Sequence, residues 1–327
     1  MQSHESNRQG VLQAAKVAQY LRTRLNQVVI GQAKTVDAVL TAFLAGGHVL
    51  LEGVPGVGKT LLVRALAQTF SGTFKRIQFT PDLMPADVTG HYRFDARAQD
   101  FVLRQGPVFT HLLLADEINR APAKTQAALL EVMQERAVTL DGMTHMLDLP
   151  FMVLATQNPI EQEGTYPLPE AQLDRFMFKI NMDYPSAADE VRLVKAVVGS
   201  QDGDVLQADA PKHVFQAAQI VQLQKWVSRV AVDEALIDYA VRLVAASRQS
   251  VSLAVGAGPR ASITLVSAAR AYALLNERDF VLPDDIKAVC LPTLRHRVVL
   301  STQMEMDGVR IDDVLQDLCQ SVAVPRV

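Results

Sequence analysis

A phosphate-binding pattern is the first group of residues in this chain with an evident chemistry. Residues 53–60 read Gly-Val-Pro-Gly-Val-Gly-Lys-Thr, which fits the phosphate-loop pattern G-x-x-x-x-G-K-[ST]. An apolar run at 48–51 precedes the pattern and a helix-competent run at 61–67 follows it, which is the context that the motif requires. The glycines let backbone N–H groups close around a phosphate at a helix N-terminus. The pattern therefore predicts that Lys59 reaches the outer phosphates of a nucleotide and that Thr60 holds Mg²⁺.

Two carboxylates follow another apolar run. Residues 112–115 are Leu-Leu-Leu-Ala, and Asp116 and Glu117 come directly after them. Because side chains alternate along a strand, we expect the two carboxylates to point in different directions. We assign Asp116 to the metal and Glu117 to the polarisation of an attacking water. The alternative is an acidic pair that merely ends a strand. The phosphate loop upstream disfavours it, since ligands collect at the carboxyl ends of parallel strands.

Three later polar residues are candidates for contacts with the transferred phosphate. Asn158 follows a further apolar run and can orient water without adding charge, although a turn-forming Asn-Pro pair is the alternative. Arg175 can offer several donors to a developing negative charge, and its alternative is a salt bridge with Asp174 or Glu170. Arg260 opens a predicted helix, where a cation opposes the helix dipole. A nearby anion such as phosphate would explain that position, and so would a solvated side chain.

The composition is that of an ordinary globular protein long enough for two domains. The chain has 327 residues, 49% of them hydrophobic and 20% charged, and a net charge of −3. That charge, with a pI near 6.2, argues against a general nucleic-acid binder, which has a strong basic excess. Cys290 and Cys319 form no C-x-x-C pair and predict neither a disulfide framework nor a zinc site. The polar start lacks an apolar signal core, and no apolar run could span a bilayer, so we expect a cytoplasmic location.

The first half alternates short apolar runs with helical patterns, which is typical of a parallel α/β sheet. We predict strands at 48–51, 75–79, 112–116, 151–156 and 176–180, and helices at 34–45, 60–70 and 123–134. Two stretches interrupt the alternation. Residues 80–109 have the character of an insertion with a short helix and strands, and residues 137–149 that of a hairpin with an Asp141-Gly142 turn.

The second half has helical patterns and is predicted to be a separate domain. We expect an α/β nucleotide-binding domain over residues 1–186 and a helical domain over residues 187–327. The predicted helices lie at 186–198, at 234–249 with Asp233 as N-cap, at 260–276 and from 283 onward, with a polar surface loop at 201–212. A small basic cluster, Arg295-His296-Arg297, is explained equally well by a solvated face and by an anion site. Four histidines lack metal-ligand spacing and are expected to be structural: His91, His111, His145 and His296.

Taken together, these motifs resemble those of the AAA+ ATPases, and within them the MoxR family. The similarity runs from about residue 29 to residue 299. Residues 53–60 resemble the Walker A of that family, residues 112–126 its Walker B and the following helix, residues 155–159 (Ala-Thr-Gln-Asn-Pro) its sensor 1, residues 170–176 (Glu-Ala-Gln-Leu-Asp-Arg-Phe) its arginine-finger segment, and residues 258–261 (Gly-Pro-Arg-Ala) its sensor 2.

The resemblance implies a P-loop AAA+ fold. This fold is a five-stranded parallel sheet with helices on both faces and a C-terminal all-α lid domain, and it assembles as a hexameric ring. Residues 80–109 would be the insertion in the second helix region, and residues 137–149 the hairpin before sensor 1. By the same resemblance, Ile30 and Gly31 contact the adenine side of the nucleotide. The phosphate loop supplies the other nucleotide contacts: Gly53, Pro55, Gly56, Val57, Gly58, Lys59, Thr60 and Leu61.

The resemblance also implies contacts between subunits and with other proteins. Arg175 and Arg260 would act across subunit boundaries, so a monomer should hydrolyse ATP poorly. Gln78 is a candidate for the polar residue that restrains the catalytic glutamate. The family is associated with chaperone-like maturation of partner proteins, often beside a protein with a von Willebrand factor A domain.

The resulting interpretation is an oligomeric ATPase that takes ATP and Mg²⁺ and uses hydrolysis to remodel a protein partner. One alternative is the motor subunit of a metal chelatase, which shares the insertions and would stimulate metal insertion into a tetrapyrrole. Another is a nucleotide-gated scaffold that binds ATP and hydrolyses little, which steady-state turnover would distinguish. A DNA-translocating motor is disfavoured because residues 138–149 contain no Lys or Arg.

Overall fold

The computed structural model describes residues 2–54, 56–97, 99–158, 164–198 and 215–325. Within them the strands are β1 (Val49–Gly53), β2 (Phe74–Gln78), β3 (Gly90–Asp95), β4 (Asp100–Gln105), β5 (Leu112–Asp116), β6 (Ala137–Leu140), β7 (Met143–Met146), β8 (Met152–Gln157), β9 (Phe178–Met182), β10 (Leu253–Val255) and β11 (Val299–Leu300).

The helices of the same residues are α1 (Gln2–Val28), α2 (Ala33–Leu44), α3 (Lys59–Gln68), α4 (Pro85–Thr89), α5 (Ala123–Glu135), α6 (Glu170–Leu173), α7 (Ala187–Val198), α8 (Ala217–Val227), α9 (Glu234–Gln249), α10 (Pro259–Leu275), α11 (Pro283–Leu294), α12 (Thr302–Met306) and α13 (Ile311–Ser321). A 3₁₀ turn covers Ile118–Arg120. No helix in the described parts of the chain is long and apolar enough to cross a membrane. The predicted loop at 201–212 lies outside the described residues.

A five-stranded parallel sheet forms the centre of the first half, in the order β2-β5-β8-β1-β9. Successive residues of β1 and β5 belong to two separate hydrophobic cores, one on each face of the sheet. Leu51 and Leu114 face the core built with α1, α2 and α3, whereas Leu50 and Leu113 face the core built with α5. Burial on both faces explains why these runs are apolar throughout. The predicted fold class, a parallel sheet with helices on both faces followed by a helical region, is confirmed.

The last strand of the sheet begins two residues later than the apolar run predicts. Phe176 was expected to open it, but β9 starts at Phe178. The N–H of Phe176 donates to the carbonyl of Leu173 in a tight turn, and its own carbonyl accepts from Arg297 and His296. The N–H and the carbonyl of Phe176 therefore take no part in the hydrogen-bond ladder of the sheet, and its side chain is buried in the core.

The two predicted interruptions of the alternation are confirmed as small hairpins. Residues 80–109 contain the helix α4 and the antiparallel pair β3–β4, and β6 pairs with β7. Asp141 and Gly142 both have positive φ, which is the turn that an Asp-Gly pair favours between two strands. The hairpins touch one another, since the Tyr92 hydroxyl lies 3.1 Å from His145 Nε2.

The long first helix, α1, was not predicted. Its buried positions follow a helical pattern, but three of them are alanines, which weakens the amphipathic signal: Val11, Ala14, Ala15, Ala18, Leu21, Leu25 and Val28. The helix also contacts the helical second half. Gln19 Nε2 donates to the carbonyl of Leu275 at 2.7 Å, and Arg8 pairs with Asp279. The division of the chain at residue 186 stays a prediction.

The basic cluster Arg295-His296-Arg297 is not a solvated face, so one of the two explanations offered for it is wrong. All three side chains are buried or nearly so, and each reaches the sheet domain. Arg295 pairs with Asp312 and donates to the carbonyl of Lys179. The reason that the sequence pattern fails here is that burial of a charged group depends on partners brought together only by the fold. The two cysteines also meet in the helical region, with Cys290 Sγ 2.8 Å from Cys319 Sγ, both as free thiols.

Candidate nucleotide-binding site

The phosphate loop joins β1 to α3 with its glycines in the left-handed region of backbone space. Gly56 has φ of 85° and Gly58 has φ of 88°, conformations that residues with a Cβ adopt at a cost. Gly58 is the N-cap of α3, and no side chain caps the helix. The first-turn N–H groups of α3 are thus oriented for an anion. Pro55 lies outside the described residues.

Lys59, the first residue of α3, is surrounded by carboxylates. Its Nζ donates to the carbonyl of Gly53 at 2.6 Å. Partial burial lowers the pKa of Lys59, and the negative charges of Asp116, Glu117 and Glu52 oppose that shift. The structure therefore brings the predicted phosphate ligand and the predicted acidic pair into one site, at the carboxyl end of the sheet.

Asp116 ends β5, and both of its carboxylate oxygens accept hydrogen bonds. Its Oδ2 accepts from Arg76 Nη2 at 2.6 Å and from Arg76 Nε at 3.1 Å. Its Oδ1 accepts from the Thr156 hydroxyl on β8 at 2.5 Å. Arg76 is half exposed, so a second cation could take its place on the carboxylate without opening the core.

Glu117 occupies a left-handed conformation, with φ of 56° and ψ of 51°. For a residue with a Cβ this costs about 1–2 kcal/mol, and such strain clusters at functional sites. Its Oε2 accepts from Gln78 Nε2 at 2.7 Å and pairs with Arg120 Nε at 2.9 Å. The contact between Gln78 and the glutamate is the one that the family resemblance implies.

The expectation that alternation separates the two carboxylates was wrong. The strand ends at Asp116, so Glu117 does not follow the alternation, and its left-handed backbone redirects the side chain. Asp116 contacts Arg76 and Glu117 contacts Gln78, two residues of β2 that lie on the same face. Both acids therefore line one side of the site, beside Lys59.

Asn158 follows β8 directly and is 8% exposed. In the sheet order, β8 lies between β5, which bears Asp116, and β1, which leads into the phosphate loop. Neighbouring parallel strands end at the same edge, so Asn158 emerges between the acidic pair and the loop. Its role in orienting water stays a prediction.

The predicted adenine-side residues line a cleft of about 510 Å³. Ile30 and Gly31 form one side of it, and Tyr184, Asp189 and Arg192 form the other. Gly31 has φ of 79°, and a Cβ there would lie 2.9 Å from side-chain carbons of Pro185 and of Asp189. Only glycine fits this close approach between the α1–α2 turn and the start of α7. In the phosphate loop and α3, Val57 is buried and Leu61 packs against the core.

Arg260 contacts the segment that carries Arg175. Arg260, at the start of α10, has Nη1 3.5 Å from Asp174 Oδ2, so the anion at this helix N-terminus is a carboxylate of the same chain. Asp174 precedes Arg175 and also pairs with Arg297. Arg175 does not form the alternative salt bridge with Asp174 or Glu170, and no described side chain pairs with it.

The donor set fits a nucleotide with Mg²⁺. Across the described residues, no group of three or more His, Cys, Asp or Glu side chains could form an all-protein metal cage. Magnesium is usually bound by one or two carboxylates or hydroxyls together with substrate phosphates, so the predicted pair Thr60 and Asp116 would be enough protein ligands. When bound, the ion would neutralise charge on the phosphates.

Comparison with known proteins agrees with this geometry. A family model described as "ATPase family associated with various cellular activities (AAA)" matches residues 48–178, and a model of the AAA lid domain matches residues 245–318. The chain is 45% identical over 312 residues to chaperone MoxR1 of Mycobacterium tuberculosis (strain ATCC 25618 / H37Rv), covering 93% of this chain and 81% of that one. The chain belongs to the MoxR family of AAA+ ATPases.

Two further relatives of this MoxR-family ATPase support the assignment. The chain is 47% identical over 301 residues to the uncharacterized protein YeaC of Bacillus subtilis (strain 168), covering 92% of each. A crystal structure of a candidate ATPase from Cytophaga hutchinsonii ATCC 33406 is similar along the whole length of both chains, with a TM-score of 0.90 and 38% identity.

Three residues of the site were missed by sequence reasoning: Arg76, Arg120 and Thr156. A signal existed for two of them. Arg76 precedes Gln78 by two residues on one strand, and Thr156 precedes Asn158 by two, so each shares a face with a residue already suspected. The basic cluster that contains Arg297 was visible in the sequence, but its contacts with Asp174, Phe176 and Met177 were not, because those residues lie more than a hundred positions earlier.

Proposed function

We propose that this chain binds ATP with Mg²⁺ and hydrolyses it. Backbone N–H groups from Gly56 onward and the Lys59 ammonium hold the phosphates. Thr60 and Asp116 hold the metal, Glu117 polarises the attacking water, and Asn158 orients it. Hydrolysis of a phosphoanhydride needs positioning and charge neutralisation more than covalent chemistry, and these groups supply both.

One observation carries the proposal. Lys59 lies within electrostatic range of Asp116 and Glu117, although 57 residues separate it from the nearer of them in sequence. In the same place Glu117 has a strained backbone conformation, and its carboxylate is held by Gln78 and Arg120. A glycine-rich turn that matched the motif by chance would not require an acid to be held there.

We further propose that neighbouring subunits complete the site, in a homo-oligomer that is a hexameric ring. Arg260 pairs with Asp174, which directly precedes Arg175 in the chain. Side chains in such a cluster can serve the nucleotide of a neighbour. Arg175 would then supply the fork of donors that stabilises transition-state charge.

The work done by hydrolysis is proposed to be chaperone-like remodelling of a partner protein, as the name of the MoxR1 relative suggests. Exposed apolar side chains on the two hairpins support a protein partner. Phe94 and Phe101 are 54% and 65% exposed, with ring centroids 5.5 Å apart, and Met146 is 70% exposed. A protein with a von Willebrand factor A domain is one such partner. A chelatase motor or a nucleotide-gated scaffold would use the same pocket.

The phosphate-binding role is tested by Lys59→Ala. Loss of a charge-assisted contact of about 1.5–3 kcal/mol predicts roughly 10- to 100-fold weaker ATP binding. The measurement is titration with a fluorescent ATP analogue in the presence of magnesium. Lys225→Ala, an exposed lysine on α8, is the matched control and should bind like the parent. Equal affinity of the Lys59→Ala variant and the parent would place the nucleotide elsewhere.

A further inference from the structure

Arg297 makes an unusually complete set of contacts with the segment that carries Arg175. Its Nε donates to Asp174 Oδ1 at 2.7 Å, and its Nη2 donates to the carbonyl of Asp174 at 3.1 Å and to that of Phe176 at 2.6 Å. Its Nη1 donates to the carbonyl of Met177 at 3.1 Å and to the carbonyl of Thr293. One guanidinium thus binds the backbone on both sides of Arg175.

These contacts are made in the interior. The Arg297 side chain is 2% exposed, and burial is the main influence lowering its pKa. Asp174 opposes that shift and supplies the compensating charge. A buried charge persists when its donors are satisfied, and here each guanidinium nitrogen has an acceptor. The guanidinium group of Arg297 therefore fits this turn. A lysine, with one nitrogen, could not reach the same acceptors.

The arrangement fixes the backbone of Arg175 and leaves its side chain available. His296 strengthens the hold, because its Nε2 lies 3.0 Å from the same carbonyl of Phe176. No side chain within the described residues pairs with Arg175 itself. The Asp174 carboxylate contacts Arg260 as well as Arg297. One acidic residue therefore connects the segment of Arg175 and the start of α10 to the lid, where Arg297 follows α11.

We propose that Arg297 is the positioning residue of the arginine-finger segment. It holds residues 174–177 so that Arg175 of one subunit projects toward the nucleotide of the next, and through α11 it ties the finger to the lid. This inference rests on the proposed function, in which Arg175 acts across a subunit boundary.

Arg295 provides a matched comparison for a purely structural role. It is also a nearly buried arginine of the same segment, it pairs with Asp312, and it donates to the carbonyl of Lys179 on β9. It has no contact with residues 174–177 among the bonds of the described chain. Arg295→Met therefore removes a comparable buried ion pair and hydrogen bond without changing the contacts of residues 174–177.

The test is complementation between variants in mixed oligomers. Arg297→Lys is combined in equal amounts with Glu117→Gln, which cannot hydrolyse ATP but keeps its finger. Arg297→Lys alone is expected to bind ATP like the parent and to lose at least tenfold in turnover. Mixing should restore roughly a quarter of parental turnover, since head-to-tail contacts pair half of the intact glutamates with intact fingers. Arg295→Met alone, not mixed with another variant, should hydrolyse ATP like the parent.

The outcomes separate this inference from the function beneath it. Arg175→Ala mixed with Glu117→Gln is the reference pair, and if it is not restored, action across subunits is wrong. If that pair is restored while Arg297→Lys stays inactive in the mixture, or is fully active alone, the positioning role is overturned. Arg297→Met provides a second variant, and thermal unfolding of each protein shows whether a loss reflects misfolding, which mixing would not repair.

Discussion

Two side chains of the described residues, those of Gln78 and Arg120, contact the carboxylate of Glu117, the proposed base. Gln78 donates to it at 2.7 Å, and Arg120 pairs with the same oxygen at 2.9 Å. A general base held by donors is less basic and less free to reach water. Under the proposed function Gln78 would restrain the base, and release of the glutamate would be a step that ligand or partner binding controls.

Removal of that restraint should raise basal hydrolysis. Gln78→Leu deletes the donor while keeping the size of the side chain, so turnover without a partner protein should rise several-fold with ATP affinity unchanged. Phosphate release at saturating ATP is the measurement. Lys75→Leu, on the same strand but bonded to the carbonyl of Gly106, serves as the control. A fall in turnover to the level of Glu117→Gln would mean that Gln78 orients the base instead of restraining it.

The residues of the motifs could be read from sequence because their identity and spacing are local. Lys59 and Asp116 needed only a strand–loop–helix pattern and an apolar run to be found. The direction of the Glu117 side chain could not be read, because a positive φ at a non-glycine residue leaves no trace in composition. The partners of Arg297 were equally hidden, since they are set by packing between the lid and the sheet.

At the scale of elements, His48 ties three parts of the sheet domain together. It precedes β1, its Nε2 lies 3.0 Å from the carbonyl of Met133 on α5, and its Nδ1 accepts from the N–H of Val153 on β8 at 2.9 Å. Both contacts require the neutral ring with its proton on Nε2. Burial accordingly lowers the pKa of His48 to about 4.

This buried histidine predicts a loss of stability in mild acid. The unfolded chain binds a proton at His48 near pH 6.5, whereas the folded chain does so only near pH 4, so stability is present above pH 6.5 and falls below it. From pH 7 to pH 5 the expected loss is about 2 kcal/mol of unfolding free energy. Urea unfolding of the parent and of His48→Gln at both pH values measures it. An equal pH dependence in the two proteins would contradict the assignment. His296, whose pKa burial also lowers, contributes the same sign to both.

Element boundaries were predictable where local signals are strong. Asp233 accepts from the N–H of Ala235 at 2.8 Å as the predicted N-cap of α9, and α10 starts at Pro259, one residue before the predicted start. The start of β9 was misplaced because Arg297 and His296 take the carbonyl of Phe176 from across the fold. Long-range donors of this kind do not enter a local pattern.

At the scale of the whole molecule, the proposed phosphate-binding residues and the two arginines belong to two clusters. One contains Lys59 and Glu117. The other contains Asp174 and Arg260, with Arg175 next to Asp174 in sequence. When subunits associate head to tail, the second cluster of one subunit can lie beside the first cluster of the next. Closure of the resulting row of subunits gives a ring. Hydrolysis would then depend on assembly.

Turnover per subunit should therefore rise with protein concentration. The parent is expected to hydrolyse ATP slowly as a monomer and at least tenfold faster once sedimentation velocity shows assembly. Arg175→Ala should assemble over the same concentrations without the increase, which separates assembly from the role of the finger. A specific activity that stays constant from the monomer to the oligomer would contradict sharing of the site.

The acid after β5 provides the most direct test of ATP hydrolysis at this pocket. Glu117→Gln keeps the shape and hydrogen-bonding reach of the side chain but removes the base. We expect it to bind ATP as tightly as the parent and to release phosphate about 100- to 10,000-fold more slowly, the range that a general base contributes. Equilibrium ATP binding and steady-state phosphate release are to be measured on the same oligomeric preparation. Turnover by Glu117→Gln at the parental rate would contradict the account.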